Sequence, residues 1–253
     1  MYRTLLLFFL LLHIVSDYYL QTEAMADEKK TSRAALLKHS ALYAAVFVAL
    51  TAAVWSGPVI AAAALLAVVH FLVDCAKYAC LRKLPAEKHT DSSEARAYCV
   101  DQGLHLAFIA AAAAALKLLA IPASVWPYWQ TAFALVPAEP LRLLRWLCLV
   151  AFLWKPANVT VKMLTAGYKP AKNAQDSSKD KAGAFIGFLE RMIILLLLSV
   201  GQYAAIGLVL TAKSVARYKR ISEDQSFAEY YLLGTLLSTL LAIAAYFLLI
   251  LLI

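Results

Sequence analysis

The chain has 253 residues, of which 63% are hydrophobic and 16% charged, with a mean hydropathy of +0.70 and a formal net charge of +8. Soluble globular domains are nearer half apolar and a quarter charged. The composition therefore indicates a polytopic membrane protein with no separate soluble domain, and the basic excess, gathered in loops, follows the positive-inside rule rather than nucleic-acid binding.

The first apolar run, residues 4–21, begins like a signal peptide in "MYRTLLLFFLLL". No small-residue cleavage site follows, so it is expected to stay as an uncleaved first span. It ends in "HIVSDYYLQ". His13, Asp17 and Gln21 are four apart there, which on a helix stacks them on one face. A polar loop leads to span two, residues 35–55, and "SGP" at 56–58 gives a tight turn into span three, residues 59–80. The charged loop "LRKLPAEKHTDSSEARA" precedes span four, residues 98–120, whose alanine run at 110–115 suits close helix packing. His89 is expected to be a solvated loop residue.

Pro122, Pro127, Pro137 and Pro140 break up residues 121–141, where Trp126, Tyr128 and Trp129 suit an interfacial belt. Span five is expected over 141–164 with a kink at "KPAN", span six over 185–211, and span seven over 230–253. Gly234 and Ser238 offer a small-residue packing face. The fold expected is an all-α transmembrane bundle of seven to eight spans. Residues 1–120 form a His/Asp-bearing part, and residues 121–253 form C-terminal membrane helices with basic loops. The four cysteines include no CxxC pair, so neither a disulfide framework nor a zinc knuckle is indicated.

Three His/Asp pairs share the same four-residue spacing: His13 with Asp17, His70 with Asp74, and Asp101 with His105. In an up-down bundle the span ends that carry them, with His39 at the start of span two, fall on one side of the membrane. Charged groups deep in a span cost about 2.5–3.5 kcal/mol on insertion scales, and they persist when they pair, line a cavity or bind an ion. Imidazole and carboxylate together suit a divalent metal, zinc or manganese above all. The candidate ligands are His13, Asp17, His39, His70, Asp74, Asp101 and His105. One of Asp17, Asp74 and Asp101 could instead act as general base toward water. Lys30, Lys77 and Arg191 are expected to offset anionic charge on a substrate, with Gln21, Gln102 and Glu190 as further polar groups of the cavity.

The basic loops after spans one, three and five place this layer on the cytoplasmic side. The linker with Lys213, Arg217, Lys219 and Arg220 then falls outside, against the rule. Either residues 121–141 re-enter or cross, or those charges face lipid headgroups.

The set His13, Asp17, Leu20-Gln21, Lys30, His39, His70-x-x-x-Asp74-x-x-Lys77 and Asp101-Gln102-x-x-His105 resembles the bacterial membrane family named domain of unknown function 3307. The C-terminal "IGFLER", "AIG", "KSVARY" and "EYYLLGTLLS" resemble stretches that often follow that domain. The resemblance implies a bacterial inner-membrane location and a shared polar site, and it implies no substrate. The leading expectation is a metal-dependent membrane hydrolase acting on a lipid or phospho-linked molecule. Its rivals are an ion- or proton-coupled transporter using the same layer and a non-catalytic sensor or scaffold. Membrane lipid is the expected partner, nucleic acid is not, and a homo-oligomer stays open.

Overall fold

The computed structural model describes residues 2–252 apart from Ser56, Leu84, His89, 136–138 and 171–176; for Ala86 and 177–181 it describes the backbone only. The expected loop position of His89, and Pro137, lie outside the described residues. The described chain is helical throughout, with one isolated bridge between Trp55 and Val125. Six helices are long and apolar enough to cross a membrane. Only 22–33% of the residues in each apolar window are buried, so most of each helix presents leucine, valine and phenylalanine outward, as lipid-facing helices do.

By Cα proximity the chain forms two compact units, residues 1–89 with 96–148 and residues 90–95 with 149–253. The first unit opens with α1 (Tyr2–His13), which runs directly into a π-helical turn, Ile14–Tyr19. The Leu20 amide donates to Val15 O at 3.1 Å, the i→i−5 bond of that wider turn. After α2 (Glu23–Glu28) comes α3 (Arg33–Val54), capped by the Ser32 hydroxyl, which accepts from the Ala35 amide. Pro58 opens α4 (Pro58–Lys83), where its missing N–H removes nothing from the helix.

The next helix, α5 (Asp91–Leu118), starts about two turns before the expected span, so part of the charged loop is helical. It ends at Ala120, which adopts φ +50°, with the Ile121 amide returning to Leu116 O. α6 (Pro127–Leu135) and α7 (Pro140–Leu164) each begin on a proline. The aromatic cluster before and in α6 does more than mark an interface. The indole N–H groups of Trp126 and Trp129 donate to Ala52 O and Ala53 O, and the Tyr128 hydroxyl also donates to Ala53 O. They satisfy carbonyls that the end of α3 leaves unpaired.

The unit's apolar core is built from Leu5, Phe9, Phe47, Val59, Ala63, Ile109 and Ala113, among others. It fills the halves of the helices away from the His/Asp layer. Lys117, near the far end of α5, lies over the Tyr2 ring at 5.5 Å.

In the second unit, Pro156 sits inside α7. The expected span over 185–211 is corrected: α8 (Ser177–Ser199) stops at a turn in which Gly201 adopts φ +71°, and a separate α9 (Tyr203–Val215) follows. α9 folds back along α8, bringing Lys213 Nζ to 2.6 Å from Glu190 Oε2. At 13 residues α9 is too short to cross alone. The short α10 (Tyr218–Glu223) and the long α11 (Gln225–Tyr246) follow, the latter continuing as a π-helix, Phe247–Leu252. The expectation of seven to eight spans thus exceeds the six helices of spanning length among the described residues. The first run divides into a 12-residue α-helix and a six-residue π-helix, and the sixth breaks at Gly201.

Candidate functional site

Four helices of the first unit bring one residue set to one place. α1 contributes His13 from its last turn, and the π-helix contributes Asp17. α3 presents His39 and, four residues on, Tyr43. α4 presents His70 and Asp74, and α5 presents Asp101 and His105, each pair one turn apart. All seven histidines and aspartates are 6% exposed or less. At that depth neither water nor headgroups can satisfy them, so each must be satisfied by its neighbours or by an ion.

The centre is a group of four atoms. His39 Nε2 lies 3.2 Å from Asp17 Oδ1, 3.3 Å from His70 Nε2 and 3.5 Å from Asp74 Oδ2. His70 Nε2 lies 3.7 Å from Asp74 Oδ2 and 4.0 Å from Asp17 Oδ1. A tetrahedral site with metal–ligand bonds of about 2.0–2.2 Å has edges of about 3.3–3.6 Å. The separations among Asp17, His39 and His70, at 3.2, 3.3 and 4.0 Å, lie around that range, and Asp74 adds a fourth oxygen beside both imidazoles. A single N–H on His39 cannot serve three neighbours at once, so hydrogen bonding alone leaves the group under-satisfied. The His70 ring is fixed by the Tyr43 ring, stacked 3.6 Å away and 2° from parallel.

Around this centre lie oriented groups. The His13 Nδ1 bonds the Tyr43 hydroxyl at 3.1 Å, and His13 Nε2 bonds Gln102 Oε1 at 3.2 Å. Gln102 Nε2 donates to Asp17 Oδ2 at 2.9 Å and to Asp101 Oδ2 at 3.3 Å. Two lysines compensate charge: Lys29 Nζ is 3.3 Å from Asp74 Oδ2, and Lys77 Nζ is 2.9 Å from Asp101 Oδ2. Four buried polar atoms have no hydrogen-bond partner: His70 Nδ1, Asp101 Oδ1, and both ring nitrogens of His105. Such atoms are rare in native interiors. Three trios of these residues hold ligand atoms within 4.8 Å of one another: His13, Asp17 and His105; Asp17, His39 and His70; His70, Asp74 and His105. The buried His/Asp group can therefore hold a metal ion.

All seven expected ligands come together, with Lys77 and Gln102 beside them. Gln21 does not share the helical face expected of it, because the helix ends at Tyr19 and Gln21 lies in the bend beyond. Lys30 is half exposed and pairs with Asp27 at 3.8 Å; its neighbour Lys29 is the one that reaches the cluster. Nothing in the sequence separates these two lysines. Tyr43 is a site residue that the sequence reading missed; its only signal is its place one turn after His39. Glu190 and Arg191 belong to the second unit, where their polar atoms are engaged. Glu190 meets Lys213. Arg191, 1% exposed, donates to Leu153 O, Ser238 Oγ and Asn158 Oδ1. Ser238 is thus a hydrogen-bonding partner as well as a small residue.

An open groove of about 610 Å³ is lined by residues of α3 and α4, none of them one of the seven histidines and aspartates. Its walls include Leu36, Phe71 and Cys75, and Arg33, Arg82 and Lys83 also line it.

No curated protein and no solved structure matches the chain. The model of a family described as "Protein of unknown function (DUF3307)" matches residues 5–133, just over half of the chain, and the matched stretch contains every histidine and aspartate of the cluster. The chain belongs to the DUF3307 family.

Proposed function

We propose that this protein is a metal-dependent hydrolase of a bacterial inner membrane, acting at the cytoplasmic leaflet on a lipid or other phospho-linked substrate. The observation that carries the reading is the buried trio of Asp17, His39 and His70, whose ligand atoms lie within 4.8 Å of one another, with Asp74 against both imidazoles. Zinc or manganese is the best match to two imidazoles and two carboxylates. When bound, such an ion supplies Lewis-acid polarisation of a phosphoryl oxygen and activation of water.

The remaining roles fall to the chain's own groups. Asp101 is held through Oδ2 by Lys77 and Gln102, and its Oδ1 is unengaged, so it suits the general base. Water oxygen bonds to phosphorus, its proton passes to Asp101 Oδ1, and the phosphorus–oxygen bond to the leaving group breaks, with the leaving oxygen protonated from solvent. Lys29 and Lys77 offset the anionic charge of the substrate. The groove beside α3 and α4 supports a lipid substrate, because its apolar wall suits an acyl chain and its three cations suit a phosphate. The apolar core over the far halves of the helices favours a one-sided site over a transport path.

The test is metal content of the detergent-purified protein by mass spectrometry, beside a His70→Ala, His105→Ala double variant, followed by hydrolysis assays on lipid phosphoesters. Near-stoichiometric metal that disappears in the variant, with phosphate ester turnover in the wild type alone, is the expected result. A folded wild type that neither carries zinc or manganese nor takes them up sinks the reading and favours a proton-relay role for the cluster.

A further inference from the structure

We infer that the site holds two metal ions with the Asp17 carboxylate shared between them. The inference rests on the metal reading above and extends it to nuclearity.

Asp17 is the hinge of the argument because its two oxygens face different groups. Oδ1 looks to His39 at 3.2 Å and His70 at 4.0 Å, on the side of those two imidazoles. Oδ2 looks to Gln102 Nε2 at 2.9 Å and His13 Nε2 at 4.0 Å. A second trio of ligand atoms within 4.8 Å forms from His13, Asp17 and His105.

His105 supplies an independent pointer. It is 3% exposed, and neither ring nitrogen has a hydrogen-bond partner. An imidazole with both nitrogens buried and unserved carries a desolvation cost that nothing nearby offsets. His105 belongs to two ligand trios, one with His13 and Asp17 and one with His70 and Asp74, while the Asp17, His39 and His70 trio does not include it, so a second ion would use donors that the first leaves over. His13 is prepared for the same role. The Tyr43 hydroxyl engages Nδ1 and fixes the ring, while Nε2, which faces Asp17 Oδ2, bonds Gln102 Oε1 and would exchange that bond for an ion. Two ions bridged by one carboxylate sit about 3.5–4 Å apart, the spacing at which a metal pair clamps both the attacking and leaving oxygens of a displacement.

Charge then narrows the substrate. Three aspartates and two lysines in contact with them leave the cluster with one net negative charge when its histidines are uncharged. Two divalent ions turn that into a marked positive excess, which a phosphate ester offsets and a neutral ester or amide does not.

The experiment uses the full chain in detergent, stripped with a chelator and reloaded with manganese(II). Metal per chain is counted by mass spectrometry and low-temperature electron paramagnetic resonance is recorded. Two manganese ions per chain with the multiline spectrum of a coupled pair is the expected result. His105→Ala should reduce the count to one, abolish the coupling and leave an isolated manganese signal. One ion per chain in wild type and variant alike, with no coupling, overturns the shared-carboxylate pair and leaves the single-metal hydrolase standing. It would also place His105 as an additional ligand of that ion or as a proton carrier. No manganese in the wild type overturns both readings. The wild-type count decides the matter even if the variant fails to fold, and His105→Asn serves as a second, smaller change.

Discussion

At the scale of single residues, two neighbouring lysines separate a site group from a surface group. Lys29 is 13% exposed and reaches Asp74, whereas Lys30 is 47% exposed and pairs with an exposed aspartate. Exposed pairs are worth about 0–1 kcal/mol, and a charge at a reacting centre is worth more. If the proposed hydrolase reading holds, Lys29→Ala should lower phosphate-ester turnover by about tenfold or more, while Lys30→Ala stays within about twofold; steady-state kinetics on the two variants checks this. Arg191 makes the opposite prediction. Its guanidinium nitrogens bond a backbone carbonyl, an amide oxygen and a hydroxyl, so truncation leaves buried acceptors unserved. Arg191→Ala should cost about 1–3 kcal/mol of stability, and lysine should not rescue it, because an ammonium cannot reproduce the planar fork. Thermal unfolding should shift in both variants while metal content stays at the wild-type level. Loss of metal with unchanged unfolding would give Arg191 a place in the site instead.

At the scale of elements, the departures from regular helix matter most. The π-turn at Ile14–Tyr19 carries Asp17 and changes the register after His13. Position 17 remains in the cluster, and position 21 falls past the end of the helix. A four-residue spacing read on an ideal α-helix holds for the first step and fails for the second. The turn between α8 and α9 depends on Gly201 at φ +71°, a region in which an L side chain costs about 1–2 kcal/mol. Gly201→Ala should lower stability by about that amount, although open space surrounds the position where its Cβ would go. Gly207→Ala, inside regular helix and equally unhindered, is the matched control and should be neutral or slightly stabilising. Denaturation of both variants in detergent checks the difference.

At the scale of the whole molecule, the fold-back of α9 removes the conflict that charge alone creates. A continuous span over 185–211 would carry Lys213, Arg217, Lys219 and Arg220 to the far side, against the positive-inside rule. A hairpin returns them to the side from which α8 sets out. Single cysteines at positions 169 and 219 should therefore be labelled by an impermeant maleimide from the same side of the membrane. Labelling from opposite sides would restore the through-span and discard the hairpin.

Much of the candidate site was legible because spacing and burial cost are local quantities. A histidine and an aspartate four apart near a span end are visible in the residues themselves, and the alternation of apolar runs and basic loops sets class and approximate depth. The same periodicity reaches Tyr43, which is not among the expected site residues. The sequence by itself thus determined a helical membrane protein and seven groups at one depth. Only the tertiary structure decided which atoms meet. That depends on the rotation of four helices about their axes, on a π-turn that no composition reveals, and on which of two adjacent lysines the loop after α2 turns inward. These are properties of packing between distant segments. They put Asp17 at the centre, left His105 without a partner, and kept Arg191 in a buried network of its own.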